Sequence, residues 1–286
     1  MGILAGLIAM LGWGGGDFLA ALSSRKIGTL KTVFWMQLIS LFLASLFFLA
    51  NLGSFKFDHI TTYIIVLGIA GLLQVIAYIA FYSGMAKGMV SIVSPIGSTF
   101  ALVTVVLSIL FYNEHIIFRQ VIAIVLTFAG IFLVSTDIRA LFNIKKVSLL
   151  KGVKEAIIAM FAWGISLFLI APASKELGWF LPVFILKSFV LFFVTILLIA
   201  KRESIQIKSD AKTYGLLLAI GVLDIAAFLG YSLGVSSESA SVVAPISGAF
   251  SMIAVLLARI YIKEKLVTNQ IYGILLIVIG LIVLNI

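Results

Sequence analysis

The sequence predicts an all-α integral membrane protein whose ten transmembrane helices form two inverted five-helix repeats. Three observations lead there. The chain of 286 residues is 63% hydrophobic and 11% charged, against about a quarter charged in an ordinary soluble domain, and its mean hydropathy is +1.27. Ten apolar segments run along it, most of them close to the roughly 20 residues that cross a bilayer as helix. The chain also matches itself at a shift of 150 residues.

The first span is expected at 2–22. It lacks a basic leader and a small-residue cleavage site, so it reads as a retained helix and not a removed signal peptide. Further spans are expected at 31–50, 62–84, 88–111 and 116–136. The second half supplies 152–171, 179–200, 212–234, 238–260 and 268–286. Near-continuous apolarity favours helices over barrel strands, which alternate and are shorter. The expected division is 1–142 and 152–286, with a basic linker at 143–151.

The repeat holds across all five spans of each half. Trp13-Gly14 falls on Trp163-Gly164, Gly71 on Gly221, Gly84 on Gly234, Glu114 on Glu264, Gln120 on Gln270 and Gly130 on Gly280. "SIVSPIGSTF" (91–100) falls on "SVVAPISGAF" (241–250), with a proline at the same point of each. Five is odd, so the second copy enters the membrane from the opposite side. That is the inverted-repeat architecture of many secondary transporters.

The stretch "FYSGMAKGMVSIVSPIGSTFALVTVVLSILFYNEHIIFRQVIAIVLTFAGIFLV" resembles the EamA-type repeat of the drug/metabolite transporter superfamily. Its pattern is a Tyr/Gly helix end, a helix with Ser and Pro, a Glu loop, and a helix with Gln and Gly. The second half repeats it from Tyr231 to Leu284. The resemblance implies a ten-helix transporter. It leaves the cargo open among amino acids, sugars, nucleotide-sugars and drugs. Glu114 and Glu264 look like loop residues of that family and read as helix-end caps or gate ion-pair partners.

Of the 20 Lys and Arg, sixteen fall in loops 1–2, 3–4, 5–6, 7–8 and 9–10, three on the other side, and Lys187 inside a span. The excess of basic residues places the sixteen-charge side in the cytoplasm of a cell membrane and both termini outside. The resemblance implies the reverse, since several members of the family place both termini inside. The net charge of +9 flanks membrane spans, so nucleic acid is not an expected partner. There is no cysteine, hence no disulfide and no thiolate metal site. No HExxH and no GxxxxGK[ST] is present, and both His59 and His115 lie in loops. No metal, no cofactor and no catalytic set is expected, and the protein reads as a non-enzyme.

Ionisable groups in lipid are costly and usually face a cavity. Asp17, Lys187 and Asp224 lie well inside spans, and Gln37 and Gln74 occupy the repeat positions of Lys187 and Asp224. Two readings of Lys187 and Asp224 stand: an ion pair locking spans 7 and 8, or ligands of the cargo. Asp17 has no local partner in sequence and is the first candidate for carrying a proton, with Asp224 the second. Helical spacing puts Trp13 on the face of Asp17, Gln74 with Tyr78, Phe81 and Tyr82, and Asp224 with Phe228 and Tyr231. Such a mixture suits a cavity for a small organic molecule. Trp163 is the repeat copy of Trp13, while Trp179 reads as part of an interfacial belt.

Pro95 and Pro245 each remove a helical N–H and collide with the carbonyl four residues back. They are expected to bend spans 4 and 9 as paired hinges, with the carbonyls of Ser91 and Ser241 freed and Ser94, Ser98 and Ser247 near the bend. The expected activity is secondary transport of a small metabolite, an amino acid or related zwitterion, by alternating access with protons as a further partner. A facilitative carrier or exchanger of sugars or cationic drugs, or a membrane scaffold without transport, is the alternative. The expected partners are the lipid bilayer and the cargo, with the chain acting as a monomer.

Overall fold

The computed structural model describes residues 1–55, 57–114, 116–135, 151–207, 211–263 and 268–285. His115, Glu264, the side chain of Gln270 and nearly all of the expected linker lie outside the described residues. Among the described residues, eight helical spans are long and apolar enough to cross a membrane: Gly2–Ile27, Thr29–Ala50, Ile60–Lys87, Val90–Tyr112, Val153–Glu176, Leu181–Ala200, Ala211–Ser237 and Ala240–Ile262. They are spans 1–4 and 6–9. Helices Phe118–Ser135 and Thr268–Asn285 occupy the places of spans 5 and 10.

Several helices outrun the expected apolar segments. Span 1 continues through Ile27 and span 3 through Lys87. At 1.5 Å per residue, the 26 residues of span 1 reach about 39 Å, past the roughly 30 Å hydrocarbon core. Helical hydrogen bonding does not stop where apolarity does. Arg25 and Lys26 in the last turn of span 1 also suit the negative end of its dipole. The chain then turns at Gly28 (φ 91°), and its repeat copy Gly178 (φ 79°) does the same between spans 6 and 7. Both positions need the left-handed freedom of glycine.

Span 1 turns one apolar face outward and a seam of small residues to the protein. Leu4, Ile8 and Leu11 are exposed, whereas Ala5 and Ala9 are buried. The small face lets span 8 approach: a Cβ on Gly12 would strike Ala227 and the carbonyl of Leu223. Small-residue seams of this kind are how helices associate where lipid removes the hydrophobic drive.

The inversion can be read from residue pairs. Gly84 of span 3 abuts Glu155, and Gln74 hydrogen-bonds to Ser166, so spans 3 and 6 are antiparallel. Span 1 runs parallel to span 3, because Asp17 meets Tyr82 and Arg25 meets Gly88 further along. Span 6, the copy of span 1, therefore points the other way. The contacts are reciprocal under the shift of 150. Gly14 abuts Phe250 and Ile253, and Gly164 abuts Phe100 and Val103. Gly71 abuts Leu186 and Phe189, and Gly221 abuts Met36 and Ile39. Gly130 lies against Gly273 and Ile277, and Gly280 against Ala123 and Thr127, which seals spans 5 and 10 together.

Spans 4 and 9 are each interrupted, but not at the proline. The breaks fall at Thr99 (ψ 0°) and Ala249 (ψ 2°), four residues beyond Pro95 and Pro245. Of the hydroxyls expected near the bend, Ser98 and Ser247 act at the break, joined by Thr99. Ser98 Oγ donates to the Pro95 carbonyl at 2.7 Å, Thr99 Oγ1 to Ile96 at 2.6 Å and Ser247 Oγ to Ala244 at 3.0 Å. Tight i→i+3 bonds then restart each helix, from Leu102 to Thr99 and from Met252 to Ala249. Span 9 ends in a π-helical turn, Ala258–Ile262.

Candidate functional site

The two breaks bring Phe100 and Phe250, each the repeat copy of the other, face to face. Their rings stack at 6.2 Å and 16°. Both tryptophans pack on Phe100. Trp13 packs against Phe100, Phe228 and Tyr231, and Trp163 against Phe100, Tyr78 and Phe81. Phe228 is the copy of Tyr78, and Tyr231 the copy of Phe81, so the aromatic shell follows the two-fold.

Inside the shell lies a cavity of about 10 Å³, lined by Trp13, Asp17, Tyr78, Phe100, Trp163, Leu167, Phe228 and Phe250. That volume is about one water, whereas a small-molecule site takes roughly 300 Å³ or more. The rings are packed on one another in this conformation, so cargo would enter only if the repeats part.

The polar groups break the two-fold. Asp224 Oδ2 accepts from Lys187 Nζ at 2.6 Å and from the Ser40 hydroxyl, and Oδ1 accepts from Tyr78 at 2.7 Å. Gln37 Nε2 stands 3.5 Å from the same carboxylate. Lys187 also sits over the Phe228 ring, 3.7 Å from its centroid. The ion pair is 0% and 4% exposed, so each charge depends on the other and on this ring of donors. Asp17 is held differently. Its one hydrogen-bond partner among the described residues is Tyr82, at 2.7 Å. Asp17 makes no ion pair among the described residues, and it alone among the cavity-lining side chains is a carboxyl group.

Thus Trp13, Asp17, Tyr78 and Trp163 line the cavity. Lys187, Asp224, Gln37, Tyr82 and Tyr231 stand directly behind it. Gln74 lies further off and donates to Ser166. Ser98 and Ser247 serve their own helix breaks. Ser94 is buried, and its hydroxyl has no hydrogen-bond partner among the described residues. Sequence reasoning missed Ser40, Leu167 and the Phe100–Phe250 pair. The last did leave a signal, since Phe closes both copies of the Pro-bearing motif. Ser40 left none, because its partner is 184 residues away.

On the side that carries the termini, Glu114 bridges three elements. Both of its carboxylate oxygens accept from the first turn of span 9, from the backbone N–H of Ala240 at 3.1 Å and of Ser241 at 3.0 Å. Lys175 lies 3.8 Å from the same carboxylate. An anion at a helix N-terminus is stabilised by the free N–H groups and the dipole. Glu114 thereby ties the loop after span 4 to the start of span 9 and the end of span 6.

The EamA-like transporter family matches residues 1–136 and 150–286. An uncharacterized protein of Methanocaldococcus jannaschii is 33% identical over 134 residues, which is 46% of this chain and 95% of that protein. That relative is therefore about the length of one repeat. A crystal structure of another protein superposes with a TM-score of 0.74 and 16% identity, covering 99% of this chain and 95% of the other. At that identity the likeness speaks for the fold alone.

Proposed function

Because the chain belongs to the EamA-like transporter family, we propose that it is a secondary transporter for a small organic molecule bearing an ammonium group, an amino acid or related amine, moved by alternating access. One observation carries the chemistry. Asp17 is the carboxyl group on the wall of a cavity otherwise built of aromatic faces and Leu167. A carboxylate among aromatic faces suits a cation, through charge and through the ring quadrupoles. Lys187 does not line the cavity. The carboxylate of a zwitterionic cargo would reach it only if Asp224 let go, so recognition rests first on the ammonium end.

The same carboxylate supports proton coupling. With no ion pair among the described residues, Asp17 holds either the ammonium of the cargo or a proton when the site faces one side. The two ligands then compete, and a pH gradient drives exchange. The sixteen basic residues in the loops that follow the odd-numbered spans support placing that face on the cytoplasmic side of the cell membrane. A reporter active only in the cytoplasm, fused after Ile286, tests this: it should stay silent.

The direct experiment is uptake by proteoliposomes. Labelled amino acids, polyamines and sugars are offered with and without an imposed pH gradient. Saturable uptake of an amine-bearing compound that falls when the gradient is collapsed is expected. Asp17→Asn should abolish the response to the gradient. Uptake of sugars alone, or accumulation indifferent to the gradient, would overturn the corresponding half of the proposal.

A further inference from the structure

We propose that a cleft on the lipid-facing surface between spans 3, 6 and 7 binds one acyl chain of an anionic phospholipid, with the phosphate held at Lys201. The cleft has a volume of about 540 Å³. Its walls are Leu72, Ile76 and Ile79 of span 3, Ile158 of span 6, and Phe193 and Ile196 of span 7. Nothing in these walls can hydrogen-bond, so the occupant is a hydrocarbon.

Length narrows the occupant further. Lys201 and Phe193 mark the two ends, eight residues apart on span 7, or about 12 Å at 1.5 Å per residue. Half of a hydrocarbon core is about 15 Å. The cleft therefore runs from one membrane surface toward the midplane, within a single leaflet, as an acyl chain does.

Charge selects the headgroup. Two charged residues stand at the rim, Glu155 and Lys201. Glu155 is already matched by Lys87 at 3.0 Å. Lys201 has no carboxylate partner among the described residues and is followed by the exposed Arg202. The rim thus carries an unmatched positive charge at headgroup depth, which complements a phosphate whose lipid has no compensating ammonium. The internal two-fold supplies a control. The repeat copies of Glu155 and Lys201 are Ala5 and Asn51, so the equivalent surface at the opposite leaflet has no such charge. The lipid is expected on the side of the sixteen basic residues, and on the proposed orientation that is the anionic cytoplasmic leaflet.

The test is native mass spectrometry of the purified full chain in detergent, titrated with dioleoyl-phosphatidylglycerol or dioleoyl-phosphatidylcholine. The wild type should retain the phosphatidylglycerol about fivefold more tightly, the effect of one cation near the headgroups. Lys201→Gln, at an exposed helix end, should erase that preference and leave phosphatidylcholine binding unchanged, while Asn51→Gln should change neither. Ile158→Trp should fill the cleft and weaken both lipids. Equal binding of the two lipids by the wild type would overturn the proposal. So would a preference that survives Lys201→Gln, or undiminished binding by a folded Ile158→Trp protein.

Discussion

Lys187 and Asp224 hold each other at 2.6 Å with almost no exposure, and that closeness sets the cost of removing one of them. Lys187→Met leaves Asp224 charged in a low dielectric with only Tyr78, Ser40 and Gln37 to solvate it. The expected loss is about 3–5 kcal/mol of stability, and Lys187→Met combined with Asp224→Leu should recover most of it. Thermal unfolding in detergent checks both. A double variant no more stable than Lys187→Met would show that the pair does not act as a structural unit. Tyr82→Phe probes Asp17 instead. It removes the hydroxyl that Asp17 accepts from, leaving a buried acceptor short of a partner at about 1–3 kcal/mol. Ammonium-bearing cargo should then bind more tightly, because the freed carboxylate gains more from a new donor. Unchanged or weaker binding, measured by calorimetry, would remove Tyr82 from the site. The Lys187–Asp224 pair is one of the two readings the sequence allows, but the Asp17–Tyr82 partnership is not readable there: Tyr82 lies 65 residues from Asp17, and helical spacing connects residues only within a turn or two.

At the scale of the helix, prolines and glycines act by different physics. Pro95 and Pro245 weaken the hydrogen bonding ahead of the breaks at Thr99 and Ala249. Replacing both with Ala restores two N–H donors. The protein should stay folded and exchange cargo several-fold more slowly, read as counterflow in proteoliposomes; wild-type rates would dismiss the hinge. Pro172 has no such role to play, because the carbonyl it crowds, that of Phe168, accepts from the Tyr112 hydroxyl at 3.1 Å. Glycines instead set how close two helices come. A Cβ at Gly164 would collide with Val103 and the Phe100 carbonyl, while one at Gly215 meets nothing within 4 Å. Gly164→Val should therefore cost about 1–3 kcal/mol through overpacking, and Gly215→Ala should leave the melting temperature where it is. Equal effects from the two would contradict the close approach of spans 4 and 6.

For the molecule as a whole, a near-symmetric shell carries an asymmetric load. Phe100 and Phe250 stack where the repeats meet, while the charges sit to one side. On the proposed alternating-access reading, such a body rocks between two related closures, and the contacts of Glu114 belong to the closure on the side of the termini. Glu114→Ala deprives Ala240 and Ser241 of their acceptor and Lys175 of its partner. The population should shift toward opening on the side of the termini. The chain has no cysteine, so Leu167→Cys on the cavity wall gives a clean probe. A membrane-impermeant maleimide added from that side should label it severalfold faster in the Glu114→Ala background. Unchanged labelling would mean that Glu114 is a helix cap without a gating role.

Membrane class, helix positions and the inverted repeat follow from the amino-acid sequence because each rests on local or self-referential information. Apolar length reports a span, and a match at a shift of 150 across an odd number of spans implies inversion. The same local information placed Asp17, Lys187 and Asp224 inside the membrane. It left open whether Lys187 and Asp224 close on each other or on the cargo, and it did not show that Asp17 meets Tyr82. It put the bends at the prolines, where the chain breaks one turn later, because the break follows from packing Phe100 against Phe250 as well as from the lost N–H. Those outcomes depend on which helix faces lie together. In a chain where nearly every helix is apolar all round, the pattern of hydrophobicity does not mark the facing surfaces. Small residues do so in part, and the tertiary structure decides the rest through close contacts such as Gly164 against Val103 and hydrogen bonds that reach as far as Ser40 to Asp224.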